Sequence, residues 1–238
     1  MATYYQNRGL VFGGGGSLTP AVKTLIIANV AVFLLQAVTD NSIFFIFGLV
    51  PNLVWQKLYL WQILTYQFLH GGIFHLLFNM LTLWMFGCDL ERRWGSQFFV
   101  KYYMICVAGG AILNVLFLPH QSAPSIGASA GIYGILLAYG LLYPHRIIYF
   151  YFLFPMKMKY FVMILGAISL YLSVTTSESG IAHLAHLGGM AVGYCYLRWG
   201  NPLVWAGIYW DRYRLARRKR RFGVITGRKD DESKPTLH

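Results

Sequence analysis

Six long apolar runs constrain this chain more than any other feature of its sequence. They cover about residues 22–38, 74–88, 98–118, 126–143, 160–175 and 181–199. A helix needs about 20 mostly apolar residues to cross the hydrocarbon core of a bilayer. Only 12% of the residues are charged, whereas soluble domains contain about 25%. We therefore predict an all-α fold, a polytopic membrane helix bundle with six transmembrane helices.

The basic residues predict the orientation of such a bundle. Six spans place both termini on one side, and Lys and Arg concentrate in the cytoplasmic segments of membrane proteins. If the N-terminus is inside, all 20 Lys and Arg residues except Lys57 are cytoplasmic. The pattern predicts a multi-pass protein of the inner cell membrane whose N- and C-termini are cytoplasmic.

The same pattern divides the chain into three parts. Residues 1–20 form a cytoplasmic N-terminal segment, residues 21–200 the six-span domain, and residues 201–238 a basic cytoplasmic tail. That tail carries half of the net charge of +12. We interpret the tail as a determinant of topology that contacts membrane lipid, and we expect no nucleic-acid partner.

Two shorter apolar segments lie between the spans. Residues 39–69 are rich in aromatic side chains, and we expect this loop to lie partly in the outer membrane interface. Residues 147–154 are too few to cross a bilayer. We predict that they form a hairpin or a helix extension at the membrane surface.

Polar side chains inside the spans are the candidate functional residues, because their burial in lipid costs free energy. Ser129 lies in the sequence GASAG at 127–131, and His186 lies in AHLGGMAVG at 185–193. Both segments contain a Gly-x-x-x-Gly pair, which allows helix backbones to approach closely. If these two faces pack together, the imidazole of His186 can accept the proton of the Ser129 hydroxyl.

A second polar pair, His75 and Asn79, is spaced for one face of a helix. Both side chains can donate hydrogen bonds, and acyl transfer needs donors aimed at a developing oxyanion. The backbone N–H of Ser129 can add a third donor. A polar pair that only joins helices is the structural alternative. In the predicted topology, His75, Asn79, Ser129 and His186 all lie at a similar depth below the outer face.

Four segments resemble the signature motifs of rhomboid intramembrane serine proteases of prokaryotic type. They are HGGIFHLLFN at 70–79, ERRWG at 91–95, GASAGIYG at 127–134 and AHLGGMAVG at 185–193. The resemblance covers about residues 60–200, with the motifs in the family's order. It implies a rhomboid-like fold with Ser129 as the nucleophile and His186 as the general base. It also implies His75 and Asn79 as oxyanion donors.

The resemblance carries further expectations about the site. It implies that Tyr133 stacks against His186 and that Gly127 supports the nucleophile. It implies an endopeptidase that cleaves transmembrane segments of single-pass or polytopic membrane proteins near the outer face, without a metal or an organic cofactor. Residues 177–180 are expected to form a movable cap over the site. His183 is outside the catalytic set, and we interpret it as a helix-cap or packing residue.

One departure from the family pattern lies in the first loop. The family has a Trp-Arg pair there, whereas this chain has Trp61 followed by Gln62. We therefore expect the hydrogen bonds inside that loop to differ from those of the family.

Two other functions compete with proteolysis. One is a rhomboid-like protein that binds membrane proteins without cutting them. The other is a metal protein or a transporter that uses the histidines at positions 70, 75, 183 and 186. The sequence contains no HExxH motif of the kind that metalloproteases use. Its retained serine and histidine favour the protease over the binding protein.

Overall fold

The structure is a computed structural model that describes residues 17–150, 154–175, 180–200, 209–210, 213–214 and 217. Most of the predicted N-terminal segment, most of the basic tail and nearly all of the predicted cap at 177–180 lie outside the described residues. The α-helices between residues 17 and 200 are α1 (Pro20–Val38), α2 (Ser42–Phe47), α3 (Pro51–Lys57), α4 (Gln62–Thr65), α5 (Ile73–Thr82), α6 (Cys88–Trp94), α7 (Ser96–Phe117), α8 (Ser129–Leu142), α9 (Met158–Thr175) and α10 (Gly180–Cys195). A 3-10 helix (Tyr66–Phe68) follows α4, and a π-helix (Tyr196–Gly200) follows α10.

Four helices are long and apolar enough to cross a membrane. They are Pro20–Val38, Ile73–Trp94, Ser96–Phe117 and Met158–Thr175, of which the second joins α5 to α6 through a wider turn at Leu83–Gly87. α8 and α10 have 14 and 16 residues, fewer than a span usually needs. The predicted multi-pass helical membrane architecture is therefore confirmed, and the count of six spans stays a prediction.

Small residues let α7, α8 and α10 approach closely at the centre of the bundle. A Cβ added to Gly189 of α10 would lie 2.1 Å from the carbonyl oxygen of Ala130 in α8. A Cβ added to Gly188 would lie 2.8 Å from the Cα of Gly110 in α7. Only glycine permits these backbone contacts, and they hold α10 against α8 and α7.

The two Gly-x-x-x-Gly pairs nevertheless do not form one mutual interface. Gly131 of α8 faces the ring of Tyr103, and Gly193 of α10 faces the hydroxyl of Tyr102. Both tyrosines belong to α7, which packs against α8 and α10 alike. The two helices therefore pack on each other through Gly189 and Ala130, whereas Gly131 and Gly193 contact α7.

The first loop folds into α2, α3 and α4 and is held together by the side chain of Gln62. This side chain is fully buried. It accepts a hydrogen bond from the backbone N–H of Val50 at 2.9 Å and donates one to the carbonyl of Phe45 at 2.7 Å. The indole N–H of Trp61 donates to the carbonyl of Ile46 at 2.8 Å. A neutral amide thus bonds the interior of the loop where the family has an arginine.

The segment before α9 is an antiparallel hairpin of β1 (Ile147–Phe150) and β2 (Phe154–Lys157). Of the two forms that the sequence allowed, a hairpin or a helix extension, the structure has the hairpin. The backbone N–H of Met158 donates to the carbonyl of Arg146 at 2.8 Å. This bond joins the start of α9 to the turn that follows α8.

Two ends of the bundle can be distinguished. We call the end where α5, α8 and α10 begin the site end, and the end where α6 terminates and α9 begins the basic end. At the basic end, the carboxylate of Glu91 accepts hydrogen bonds from the backbone N–H groups of Ala21 and Val22, each at 2.9 Å. It also accepts bonds from the hydroxyls of Thr19 and Ser96. Because first-turn N–H groups lack partners inside a helix, Glu91 caps α1.

Asp89 is the second carboxylate of the basic end. Its Oδ1 accepts a hydrogen bond from Arg92 at 2.8 Å. Its Oδ2 accepts bonds from the hydroxyl of Tyr139 at 2.9 Å and from Arg146 at 3.1 Å. Asp89 therefore ties α6 to α8 and to the turn that follows α8.

Candidate active site

Ser129 and His186 meet at the site end of the bundle. Ser129 is the first residue of α8, and His186 lies in the second turn of α10. The Oγ of Ser129 and the Nε2 of His186 are 2.7 Å apart. This distance permits direct transfer of the hydroxyl proton to the ring nitrogen. The close contact of Gly189 with Ala130 brings the two helices near enough for it.

Tyr133 lies one turn after Ser129 on α8 and covers a face of the His186 ring. The two ring centroids are 4.1 Å apart, and the ring planes differ by 11°. This parallel stacking restricts rotation of the imidazole and keeps Nε2 directed at the serine. The geometry agrees with the stacking that the sequence resemblance implied.

His75 approaches the nucleophile from α5, with Gly127 between them. Gly127 has a φ of +116°, a conformation that L side chains rarely adopt. A Cβ at this position would lie 2.8 Å from the Nε2 of His75 and 3.8 Å from the Oγ of Ser129. The backbone N–H of Gly127 donates to the carbonyl of Tyr66 at 3.0 Å. Glycine is therefore required both by the backbone and by the approach of His75.

Asn79 lies one turn beyond His75 on the same helix and is buried, with 7% of its surface exposed. Its Nδ2 is buried and has no hydrogen-bond partner among the described residues. The backbone N–H of Ser129 belongs to the first turn of α8, where N–H groups have no intrahelical acceptor. Unpartnered donors are what an oxyanion site needs, because donors already bonded elsewhere cannot stabilise a developing charge.

Gln36 is a residue of this region that the sequence analysis did not single out. Its Nε2 donates to the carbonyl of His70 at 2.9 Å, and its Oε1 accepts from the N–H of His70 at 3.0 Å. This paired bond fixes the loop before α5 to α1. The signal in the sequence is a glutamine inside an otherwise apolar run.

Burial, with His75 as a second cause, lowers the pKa of His70 to about 4.

The histidines do not form a metal centre in the described part of the chain. The His70 and His75 ring centroids are 5.0 Å apart, and those of His183 and His186 are 5.8 Å apart. Among the described residues, no group of three or more His, Cys, Asp or Glu side chains is arranged to hold a metal ion.

Comparisons with known proteins identify the family. The chain matches the sequence model of the Rhomboid domain over residues 57–200. It is 27% identical to "RHOMBOID-like protein 12, mitochondrial" of Arabidopsis thaliana over 82% of this chain. It is 32% identical to "Rhomboid protease GluP" of Bacillus subtilis over 56% of this chain. It is also 32% identical to "Rhomboid protein 1, mitochondrial" of Saccharomyces cerevisiae over 57% of this chain.

These alignments cover only part of each relative. They span 60% of the Arabidopsis protein, 25% of the Bacillus protein and 40% of the yeast protein. Ser129, Tyr133, His75, Asn79 and His186 all lie within the matched residues 57–200. The shared part is therefore the helical domain that contains the candidate site.

Proposed function

The chain belongs to the rhomboid family, and on that premise we propose that it is an intramembrane serine endopeptidase. Ser129 is the nucleophile and His186 the general base. The observation that carries this proposal is the distance of 2.7 Å between the Oγ of Ser129 and the Nε2 of His186. The similarity to a bacterial protein named as a rhomboid protease supports it.

The reaction follows from the arrangement of these groups. As the Oγ of Ser129 attacks a peptide carbonyl carbon, its proton moves to the Nε2 of His186. The imidazolium then protonates the leaving amine, and water hydrolyses the resulting ester with His186 again acting as base. His75, Asn79 and the backbone N–H of Ser129 donate hydrogen bonds to the oxyanion.

The substrate class follows from the location of the site among apolar helices. In lipid, the backbone groups of a substrate helix are bonded to one another, so the scissile carbonyl is exposed only after local unwinding. Transmembrane segments of single-pass or polytopic proteins with helix-weakening residues near the cut are therefore the preferred substrates. The protein has six spans in the inner cell membrane, with both termini in the cytoplasm and the cut near the outer face.

The test is cleavage of a single-span reporter in proteoliposomes by the full-length chain, compared with Ser129→Ala and His186→Ala. Each variant is expected to lose at least about 10³-fold in rate, because either loss disables the reacting pair. Ser122→Ala, at an exposed loop serine, is the matched control and keeps the wild-type rate. EDTA is expected to have no effect.

The alternative functions correspond to distinct outcomes of the same experiment. If the wild type binds the reporter but does not cut it, the protein is a binding member of the family. If cleavage persists in Ser129→Ala and stops with EDTA, a metal-dependent reaction replaces the serine mechanism. Either outcome contradicts the proposal.

A further inference from the structure

The two imidazoles of α10 share a feature that the mechanism above does not use. His183 lies one turn before His186, and the ring planes meet at 82° with centroids 5.8 Å apart. The Nδ1 atoms of both rings are buried, and neither has a hydrogen-bond partner among the described residues. Buried polar atoms are nearly always hydrogen-bonded, so two such atoms on neighbouring rings require an explanation.

The general base must hold one particular tautomer. The Nε2 of His186 faces the Oγ of Ser129 and must present a lone pair, so its ring proton must be on Nδ1. In a Ser–His–Asp arrangement, a carboxylate accepts that Nδ1–H and fixes the tautomer. Within the described residues, the Nδ1 of His186 has no carboxylate or other protein acceptor.

Building on the protease function proposed above, we propose that His183 is a positioning residue that fixes the tautomer of His186 through one bridging water. The water accepts a hydrogen bond from the Nδ1–H of His186 and donates one to the Nδ1 of the neutral His183 ring. One water joins two polar atoms that are about 5 Å apart, and the two rings are neighbours with centroids 5.8 Å apart. When His186 accepts the serine proton on Nε2, this bond strengthens because its donor becomes cationic.

Protonation of His183 abolishes this role. A cationic imidazole has no acceptor nitrogen, and its charge opposes the charge that forms on His186. Among the described residues, Tyr133 of α8 stacks on the ring of His186, and His75 of α5 approaches the Ser129 hydroxyl that His186 contacts. The ring of His70, in the loop before α5, lies against His75.

Among the described residues, the helices that pack on α10 carry few fixed charges. In α7, α8 and α9, the only Asp, Glu, Lys or Arg residues are Lys101 and Lys159, which lie near the basic end. The activity should therefore depend on two coupled imidazoles as the pH falls.

The test measures reporter cleavage by the full-length chain in proteoliposomes from acid to alkaline pH. His183→Phe keeps an aromatic ring but offers no acceptor. His183→Asn places an amide oxygen near the position of Nδ1 and cannot be protonated. His145→Phe removes an exposed imidazole at the basic end and serves as the matched control.

The two variants have different expected signatures. His183→Phe lowers the kcat on the alkaline plateau about tenfold with little change in KM, a fraction of the total general-base effect. His183→Asn stays within about threefold of the wild type on the plateau. In both variants, the acid limb of the kcat/KM profile moves to lower pH, because one of two coupled titrating groups is gone. His145→Phe changes neither quantity.

Three outcomes overturn the inference about His183. The first is a His183→Phe variant with the rate and the acid limb of the wild type. The second is equal impairment of both variants with an unmoved acid limb, which indicates packing alone. The third outcome applies if His183→Phe does not fold. It is a His183→Asn variant whose acid limb stays at the wild-type pH. These outcomes count against His183 only when the wild type cuts and Ser129→Ala does not. If the wild type cuts no faster than Ser129→Ala, the protease function fails and this inference fails with it.

Discussion

The carboxylates of the basic end and the candidate catalytic groups of the site end differ in whether protein atoms satisfy their hydrogen bonds. At the basic end, both carboxylate oxygens of Glu91 and both of Asp89 accept hydrogen bonds from protein donors. At the site end, the Nδ2 of Asn79 and the Nδ1 atoms of His183 and His186 are buried without such partners in the described part of the chain.

This difference separates polar groups that stabilise the fold from those available for chemistry. Satisfied carboxylates at the basic end join α1, α6 and α8, and their loss should lower the free energy of unfolding. The unpartnered Nδ2 of Asn79 contributes little to stability, since its hydrogen bond forms only with a reacting molecule. Substitutions at the two ends should therefore affect different measured quantities.

Among the substitutions that test this difference between the ends, Gly127→Ala is expected to have the largest effect. The added Cβ would sit 2.8 Å from the His75 ring in a backbone with a φ of +116°. We expect the cleavage rate to fall about 10³-fold, because His75 must move and the start of α8 is strained.

Gly95→Ala is the matched control for this substitution. Gly95 also has a positive φ, of +80°, but a Cβ there meets nothing within 4 Å. It should lose some stability and keep its cleavage rate per folded molecule. Equal loss of activity in the two variants would show that backbone strain, not the approach of His75, controls the site.

The next largest effect is expected from Asn79→Ala. Removal of one oxyanion donor typically lowers kcat about 10²–10³-fold. Because the Nδ2 of Asn79 has no protein partner among the described residues, the free energy of unfolding should change by less than about 1 kcal/mol. Cleavage and denaturant unfolding in detergent measure the two quantities. A variant that unfolds easily but cuts normally when folded would contradict the assignment.

Glu91→Ala, at the basic end, should lower the free energy of unfolding and leave the cleavage rate nearly unchanged. It removes the acceptor for the N–H groups of Ala21 and Val22 and for two hydroxyls. We expect a loss of about 2–3 kcal/mol in the free energy of unfolding, because a helix cap and several buried donors lose their partner. Glu91→Gln should lose less. The cleavage rate per folded molecule should stay within about twofold of the wild type. A large drop in that rate would show that Glu91 affects the reaction and would contradict the difference between the two ends.

The smallest effect is expected from Tyr139→Phe, which removes one of the three donors to Asp89. Arg146 still contacts the same oxygen, so the loss should be about 1 kcal/mol in the free energy of unfolding. Thermal unfolding with a parallel cleavage assay measures it. A change in cleavage without a change in stability would mean that this end takes part in the reaction.

The sequence predicted the apolar helices and the residues that meet at the site end, because both leave local patterns. The i, i+4 spacing of His75 and Asn79 predicts a shared helix face, and motif order suggests that Ser129 and His186 are close. The neighbours of each helix are not encoded in such spacing. The spacing therefore could not predict that Gly131 and Gly193 face α7 instead of each other.

Two sets of side-chain hydrogen bonds could not be predicted from the sequence for the same reason. The bonds of Gln62 to Val50 and Phe45, and of Gln36 to His70, join segments whose approach depends on the whole bundle. Their residue types signal only that a buried amide needs partners. The roles of Ser129, His186, His75 and Asn79 in catalysis stay predictions until activity is measured.

The most direct test of the Ser129–His186 pair is reaction with a fluorophosphonate, followed by mass-spectrometric identification of the modified residue. The pair of atoms 2.7 Å apart predicts one label, on Ser129. The label should be absent from Ser129→Ala and slowed at least about 10²-fold in His186→Ala. A folded wild type that takes no label, or one labelled at another serine with Ser129→Ala unaffected, would contradict the account.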